Sequence, residues 1–187
     1  EPDEMRGGLV KAIAFDINRT SQTLNDEWQE YRTQLENPGP GQTYQSSQES
    51  AQAFYKSLSE GLQFTDEMRL GRPLGTFDRP RPRRAAARRA GRSLRNVELS
   101  MDALGTLAVI LSASAPEIEA DLSSQKAETL ERVRELDDPV FAGVADPISR
   151  IRVEAIQSMV REMRAAVALD LAPTLGVTAG FNSLDGD

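Results

Sequence analysis

Apolar residues recur along this chain in steps of three and four. From Leu9 they fall at Leu9, Ile13, Ile17, Leu24, Trp28, Tyr31 and Leu35, with Thr20 filling the one gap, which predicts a long amphipathic helix. The run Asn37-Pro38-Gly39-Pro40-Gly41 ends it, because two prolines and two glycines cannot continue a helix. A second helix, entered through Ser46 or Ser47 as a cap, carries Ala51, Phe54, Leu58, Leu62 and Met68 on one side and stops near Gly71.

The clearest bundle seam runs through Leu94, Val97, Met101, Leu104, Ala108 and Leu111. Ser114 or Ala115 followed by Pro116 starts the next helix, with Glu117, Glu119 and Asp121 placed at the positive end of its dipole. Its stripe of Ile118, Leu122, Leu130, Val133 and Leu136 is interrupted by Lys126, which predicts a more peripheral position. Asp137-Asp138-Pro139 closes it. Asp146-Pro147 opens the last helix, whose predicted buried stripe is Ile148, Ile151, Ala155, Met159, Met163 and Ala166, reaching about Leu169. Five helices, no convincing strand and no tandem repeat predict an all-α, up-and-down helical bundle formed by one domain over residues 1–187.

Composition removes several functional classes. The chain has no cysteine and no histidine, so disulfides, thiolate metal sites, cysteine nucleophiles and histidine bases are excluded. No run of eighteen apolar residues could span a membrane. The first ten residues lack the basic and apolar regions of a signal peptide, and a start at Glu1 directly before a long helix is what a fragment of a larger protein would look like.

Charge is unevenly placed. Eight arginines lie between Arg79 and Arg95 with no acidic residue among them, so the rest of the chain carries about -15 against an overall -7. Pairing with acidic helices, in this chain or a partner's, is preferred to a plain solvated loop. Nucleic acid is disfavoured, because Phe77 is the only aromatic nearby and the acidic remainder repels a polyanion.

Gly91-Arg92-Ser93-Leu94 stands at a helix entrance and admits two readings. Backbone donors, a hydroxyl and a guanidinium fork together suit an anion or carboxylate; alternatively Ser93 simply caps the helix, which spacing favours. Glu128, Glu131 and Glu135 share a helix face but lie beside Arg132 and Arg134, so a solvated acidic face is expected there. Two tail carboxylates, Asp185 and Asp187, cannot fill a hard-cation shell. Met159 and Met163 read as core filler. No serine has an activating base, and no catalytic residue and no metal ligand set is found in this chain.

Three stretches taken together resemble the C-terminal half of imelysin-like proteins: Leu70-Gly71-Arg72-Pro73-Leu74-Gly75, Gly91-Arg92-Ser93-Leu94-Arg95-Asn96, and the closing run from Gly180 to Asp187. Trp28 also sits where that family tends to carry a tryptophan. The resemblance implies one half of a two-part, all-helical protein of the bacterial periplasm or outer membrane, often a lipoprotein and often linked to iron acquisition. The family is described as an insulin-cleaving metallopeptidase whose hallmark Gly-x-His-x-x-Glu lies in the N-terminal half, and this histidine-free chain cannot contain it.

Expected, then, is a non-catalytic C-terminal half forming one wall of a pocket between the halves. Any iron or zinc ion would be held by the N-terminal half, its partner; a small ligand or metal is the expected occupant, with no cofactor bound within this chain and no nucleic acid. The motif-matched residues are Arg92, Ser93, Asn96 and Arg72, with Asn182 and Asp185 from the tail. Ala90 stands where the family more often shows a serine. The alternatives are the substrate-positioning half of a zinc-dependent metallopeptidase, and a scaffolding bundle that docks through its arginine-rich loop.

Overall fold

The computed structural model describes residues 2–178, and apart from one isolated bridge between Thr76 and Arg79 they form helices and their connections. The protein is all-α. The chain divides into two compact units, Glu1–Ser50 and Ala51–Asp187.

In the first unit, α1 (Pro2–Glu36) is followed by the expected proline-glycine turn, where the Gly39 amide donates to the Tyr44 carbonyl at 2.8 Å. Tyr44 returns to the helix through a hydroxyl–hydroxyl bond to Tyr31 at 2.5 Å, and Thr43 donates to Gln34 at 2.9 Å. The predicted stripe is present as a helix face, yet Leu9, Ile13, Ile17, Leu24 and Trp28 are all exposed. Ser46 accepts from the Glu49 amide at 3.2 Å while the Glu49 carboxylate accepts from the Gln45 amide at 2.7 Å. This is a capping box set one residue wide, and it starts α2 (Ser47–Phe64).

The α2 helix passes without a break into a π-helical stretch, Thr65–Gly71, and then α3 (Arg72–Leu74). After the arginine-rich connection come α4 (Ser93–Leu111), α5 (Pro116–Glu135) and α6 (Pro147–Ala166), the last continuing through a second π-helical stretch, Val167–Leu171, into α7 (Ala172–Thr174). Starts at Pro116 and Pro147 agree with the prolines that predicted them. The Asp146 side chain caps α6 by accepting from the Ser149 amide at 2.9 Å.

The core of this unit joins Leu58, Leu62, Val97, Met101, Leu122 and Ile156, all fully buried. Gly105 lets α4 and α5 approach, since a Cβ there would lie 2.6 Å from Lys126 Cγ. Lys126 crosses that glycine to donate to Thr106 Oγ1 at 2.7 Å and to pair with Asp102 at 3.0 Å. A lysine in the α5 stripe is therefore a clasp to α4, its stem covering apolar surface while its head stays polar.

One predicted face is wrong over most of its length. Ile148 and Ile151 of α6 are 76% and 63% exposed, and the buried side is Arg150, Val153, Ile156, Gln157 and Val160, joined by Met163 from the predicted stripe. Two polar residues seven apart on the core side, Arg150 and Gln157, broke the apolar spacing and shifted the reading about a third of a turn around the helix. Each is buried because it meets a specific partner: Gln157 Nε2 donates to the buried Asp66 carboxylate at 2.8 Å, which Arg161 Nε also bridges at 3.0 and 3.1 Å.

Candidate functional site

The entrance to α4 is assembled by backbone. Gly91 adopts φ +65° at the end of a one-turn 3-10 helix, Arg88–Ala90, a left-handed conformation that glycine enters without strain. Arg92 occupies the flanking position with φ -116° and no side-chain cap. Ser93, expected from spacing to be that cap, is already the first helical residue. Its side chain is 3% exposed, and its hydroxyl has no hydrogen-bond partner. The capping reading is therefore overturned: a serine inside the helix cannot bend its oxygen onto the free amides of its own first turn.

The surrounding contacts fix this turn. The Leu94 amide donates to the Pro139 carbonyl at 3.1 Å, and the Asn96 amide to the Arg92 carbonyl at 2.9 Å. Arg95 and Arg134 both donate to Glu98, the latter at 2.9 Å. Those two bonds, that from Arg95 first, hold the Glu98 carboxyl below its usual range. Gly91, Leu94, Arg95, Glu98, Arg134 and Pro139 line an open groove of about 360 Å³ beside the turn.

Pro139 is presented by a turn that sequence reasoning did not resolve. The Asp138 carboxylate accepts from the amides of Ala142 at 2.9 Å and Gly143 at 2.8 Å, so it organises the connection from α5 to α6. Phe141, at the centre of that turn, takes φ +56° and is fully buried.

The other motif, Arg72-Pro73-Leu74-Gly75, is gripped from α6. Arg150 Nη1 donates to the Leu74 carbonyl at 2.7 Å and to the Thr76 carbonyl at 3.4 Å, and its Nε donates to Glu154 at 2.7 Å. Gly75 adopts φ +59°, ψ -140°, and a Cβ there would meet the Arg79 carbonyl at 2.4 Å. Only glycine fits. The motif also follows directly on the π-helical stretch, a widened turn of a kind often found at functional sites.

Arg92, Ser93 and Asn96 thus share one helical turn, with Arg92 exposed, Ser93 buried and Asn96 between. Arg72 is exposed on α3, and no hydrogen bond or ion pair joins it to them among the described residues. Asn182 and Asp185 lie outside the described residues. Missed by sequence reasoning were Arg150, Gln157 and Asp66; their available signal was the seven-residue spacing of Arg150 and Gln157 inside an otherwise apolar face.

Among the described residues no three acidic side chains come together in a way that could hold a metal ion, and the chain lacks histidine and cysteine. Glu131 is an exposed position on α5, while Glu128 accepts from Ser124 and Glu135 from Arg132, which is a solvated acidic face. No described helix is long and apolar enough to cross a membrane.

An all-α bundle with a polar, hydroxyl-bearing helix entrance is the class that these features define. The family model described as Imelysin (Peptidase_M75) matches residues 2–167, and the chain belongs to the imelysin family. Neither the curated proteins nor the solved structures yield a match.

Proposed function

We propose that this chain is a non-catalytic helical wall of a ligand pocket, completed by the N-terminal half that imelysin-like proteins carry. Any metal ion, iron or zinc, is held by that other half. The observation that carries the reading is the Ser93 hydroxyl. Leaving a buried hydroxyl without a partner costs roughly 1–3 kcal/mol, and such a group inside a native fold is met by an ordered water, an ion or a ligand atom. The flanking Arg92 and Asn96, with the dipole of α4 behind them, suit an oxyanion-bearing small ligand.

Family members are generally extracytoplasmic bacterial proteins, and we place this one in the periplasm or at the outer membrane. The test uses the full-length protein. Removing Arg92 and Asn96 together should weaken retention of Zn2+ or Fe3+–citrate in calorimetry while leaving helicity unchanged. Retention equal to that of the unaltered protein would sink the proposal.

The Peptidase_M75 label favours a second reading, in which this half positions a peptide for a zinc-activated water supplied by the other half. Cleavage of a protein substrate that a chelator abolishes would support it. Cleavage insensitive to the chelator would not.

A further inference from the structure

On the helices of this protein most of the arginines find carboxylates, although Arg72 and Arg152 do not. Arg132 pairs with Glu135, Arg134 with Glu98, Arg161 with Asp66 and Arg164 with Glu67. The seven arginines from Arg79 to Arg92 are different: none makes a side-chain hydrogen bond or ion pair among the described residues. Asp78 is the one carboxylate between Thr76 and Val97, although the chain has 29 acidic residues to draw on. The expected pairing with acidic helices of the same chain does not occur there.

This segment is nevertheless built rather than slack. The Arg81 amide donates to the Pro73 carbonyl at 2.9 Å, Ala85 to Pro82 at 3.2 Å, Gly91 to Arg88 at 3.0 Å and Arg92 to Ala87 at 3.3 Å. Ala85 is buried in the core. The guanidinium groups are therefore mounted on a fixed frame, where like charges repel and an anionic counter-surface relieves them.

Three kinds of counter-surface can be compared. A stable protein interface needs about 800 Å² per partner around an apolar centre, and Phe77 is the only large exposed apolar side chain between Gly75 and Ser93. Nucleic acid would lack stacking platforms beyond that one ring and would meet the acidic remainder along its length. A membrane surface asks for neither. Headgroup phosphates match all-arginine forks, and acidic faces more than about 8–10 Å from the plane are screened. Phe77, 73% exposed at the root of the segment, suits the interfacial position that aromatic rings favour.

We propose that the Arg79–Arg89 segment docks this protein onto the phosphate headgroups of an anionic membrane, with Phe77 at the interface. The inference does not rest on the ligand pocket, and the arginines altered below are not among those assigned to it.

The test is sedimentation of the protein with vesicles of phosphatidylcholine alone or mixed with phosphatidylglycerol. Binding is expected only to the anionic vesicles, at low salt and not at high salt. Each arginine near such a surface contributes roughly fivefold. The variant carrying Arg83→Gln, Arg84→Gln, Arg88→Gln and Arg89→Gln should therefore lose about 100-fold or more in partition with unchanged circular dichroism.

Equal binding to neutral vesicles, no binding to either, or undiminished binding by the variant would overturn the proposal. So would duplex DNA that binds more tightly than the vesicles and strips the protein from them, since that outcome assigns the segment to nucleic acid.

Discussion

Replacing Arg150 by methionine tests how the Arg72-Pro73-Leu74-Gly75 turn is held. Arg150 is 6% exposed and contributes three hydrogen bonds, to the Leu74 and Thr76 carbonyls and to Glu154. Methionine keeps the apolar stem and much of the volume but removes every donor. Losing one partner of a buried ion pair costs about 3–5 kcal/mol when the other charge stays buried. Glu154, however, is 44% exposed at its side chain and can turn to water, which lowers that figure. The Leu74 carbonyl has no such escape, and an orphaned buried acceptor costs about 1–3 kcal/mol.

Together these give a loss of about 2–4 kcal/mol, or roughly 6–12 °C in melting temperature for a unit of this size. The assay is thermal melting followed by far-ultraviolet circular dichroism, on the native protein, Arg150→Met and Arg150→Lys. Lysine carries one compact head that cannot reach both carbonyls and Glu154 at once, so it should recover only part of the loss. A methionine variant that melts within about 2 °C of the native protein would refute the assignment of Arg150 as the clamp.

Further outcomes follow from the same geometry. Gly75→Ala should destabilise by about 2–4 kcal/mol in urea denaturation, because a residue with a side chain is strained in that backbone region and its Cβ meets the Arg79 carbonyl at 2.4 Å. Ser93→Ala should be neutral or stabilise by about 1 kcal/mol, since it deletes a buried hydroxyl with no partner; a loss of stability would reveal a hydrogen bond to that oxygen. Glu98, held below its usual range by Arg95 and then Arg134, contributes stability that is complete above the unfolded carboxylate value near ~4.3 and disappears as pH falls through the lower folded value. Stability curves of the native protein and Glu98→Gln should therefore differ at neutral pH and converge at acid pH. The difference will be small because both arginines are more than half exposed.

Helix positions were legible because their end signals are local. Proline at the first position of α5 and α6, Asp146 as a cap, and Ser46 with Glu49 before α2 all act within a few residues of themselves. Which face of a helix is buried is not local. The α6 helix carries apolar residues on two sides, and the correct side contains Arg150 and Gln157, whose burial depends on the Leu74 carbonyl and on Asp66, 76 and 91 residues away in the chain. Lys126 posed the same problem in milder form, since its partners Asp102 and Thr106 lie on another helix. The π-helical stretches left no periodic trace either; a single extra residue in a turn only shifts the phase of the apolar pattern that follows.

The candidate site divides along similar lines. Gly75 and Gly91 both stand in the matched motifs, and both take positive φ. Ser93 misled, because a serine at a helix entrance usually caps, and only the position of the first helical residue reveals that its oxygen is turned inward. Backbone demands are concentrated at the two ends of the arginine segment: at Gly75, which admits no side chain, with Arg150 gripping Leu74; and at Gly91, with Pro139 receiving the Leu94 amide. Between those ends the backbone is held by its own hydrogen bonds, and the fold places its demands on the buried Ala85 and the left-handed Ala87 rather than on the arginine side chains. The arginines themselves satisfy nothing inside the protein. Their charge can therefore be altered without disturbing either motif, which is what allows the membrane test and the ligand test to be read separately on one protein.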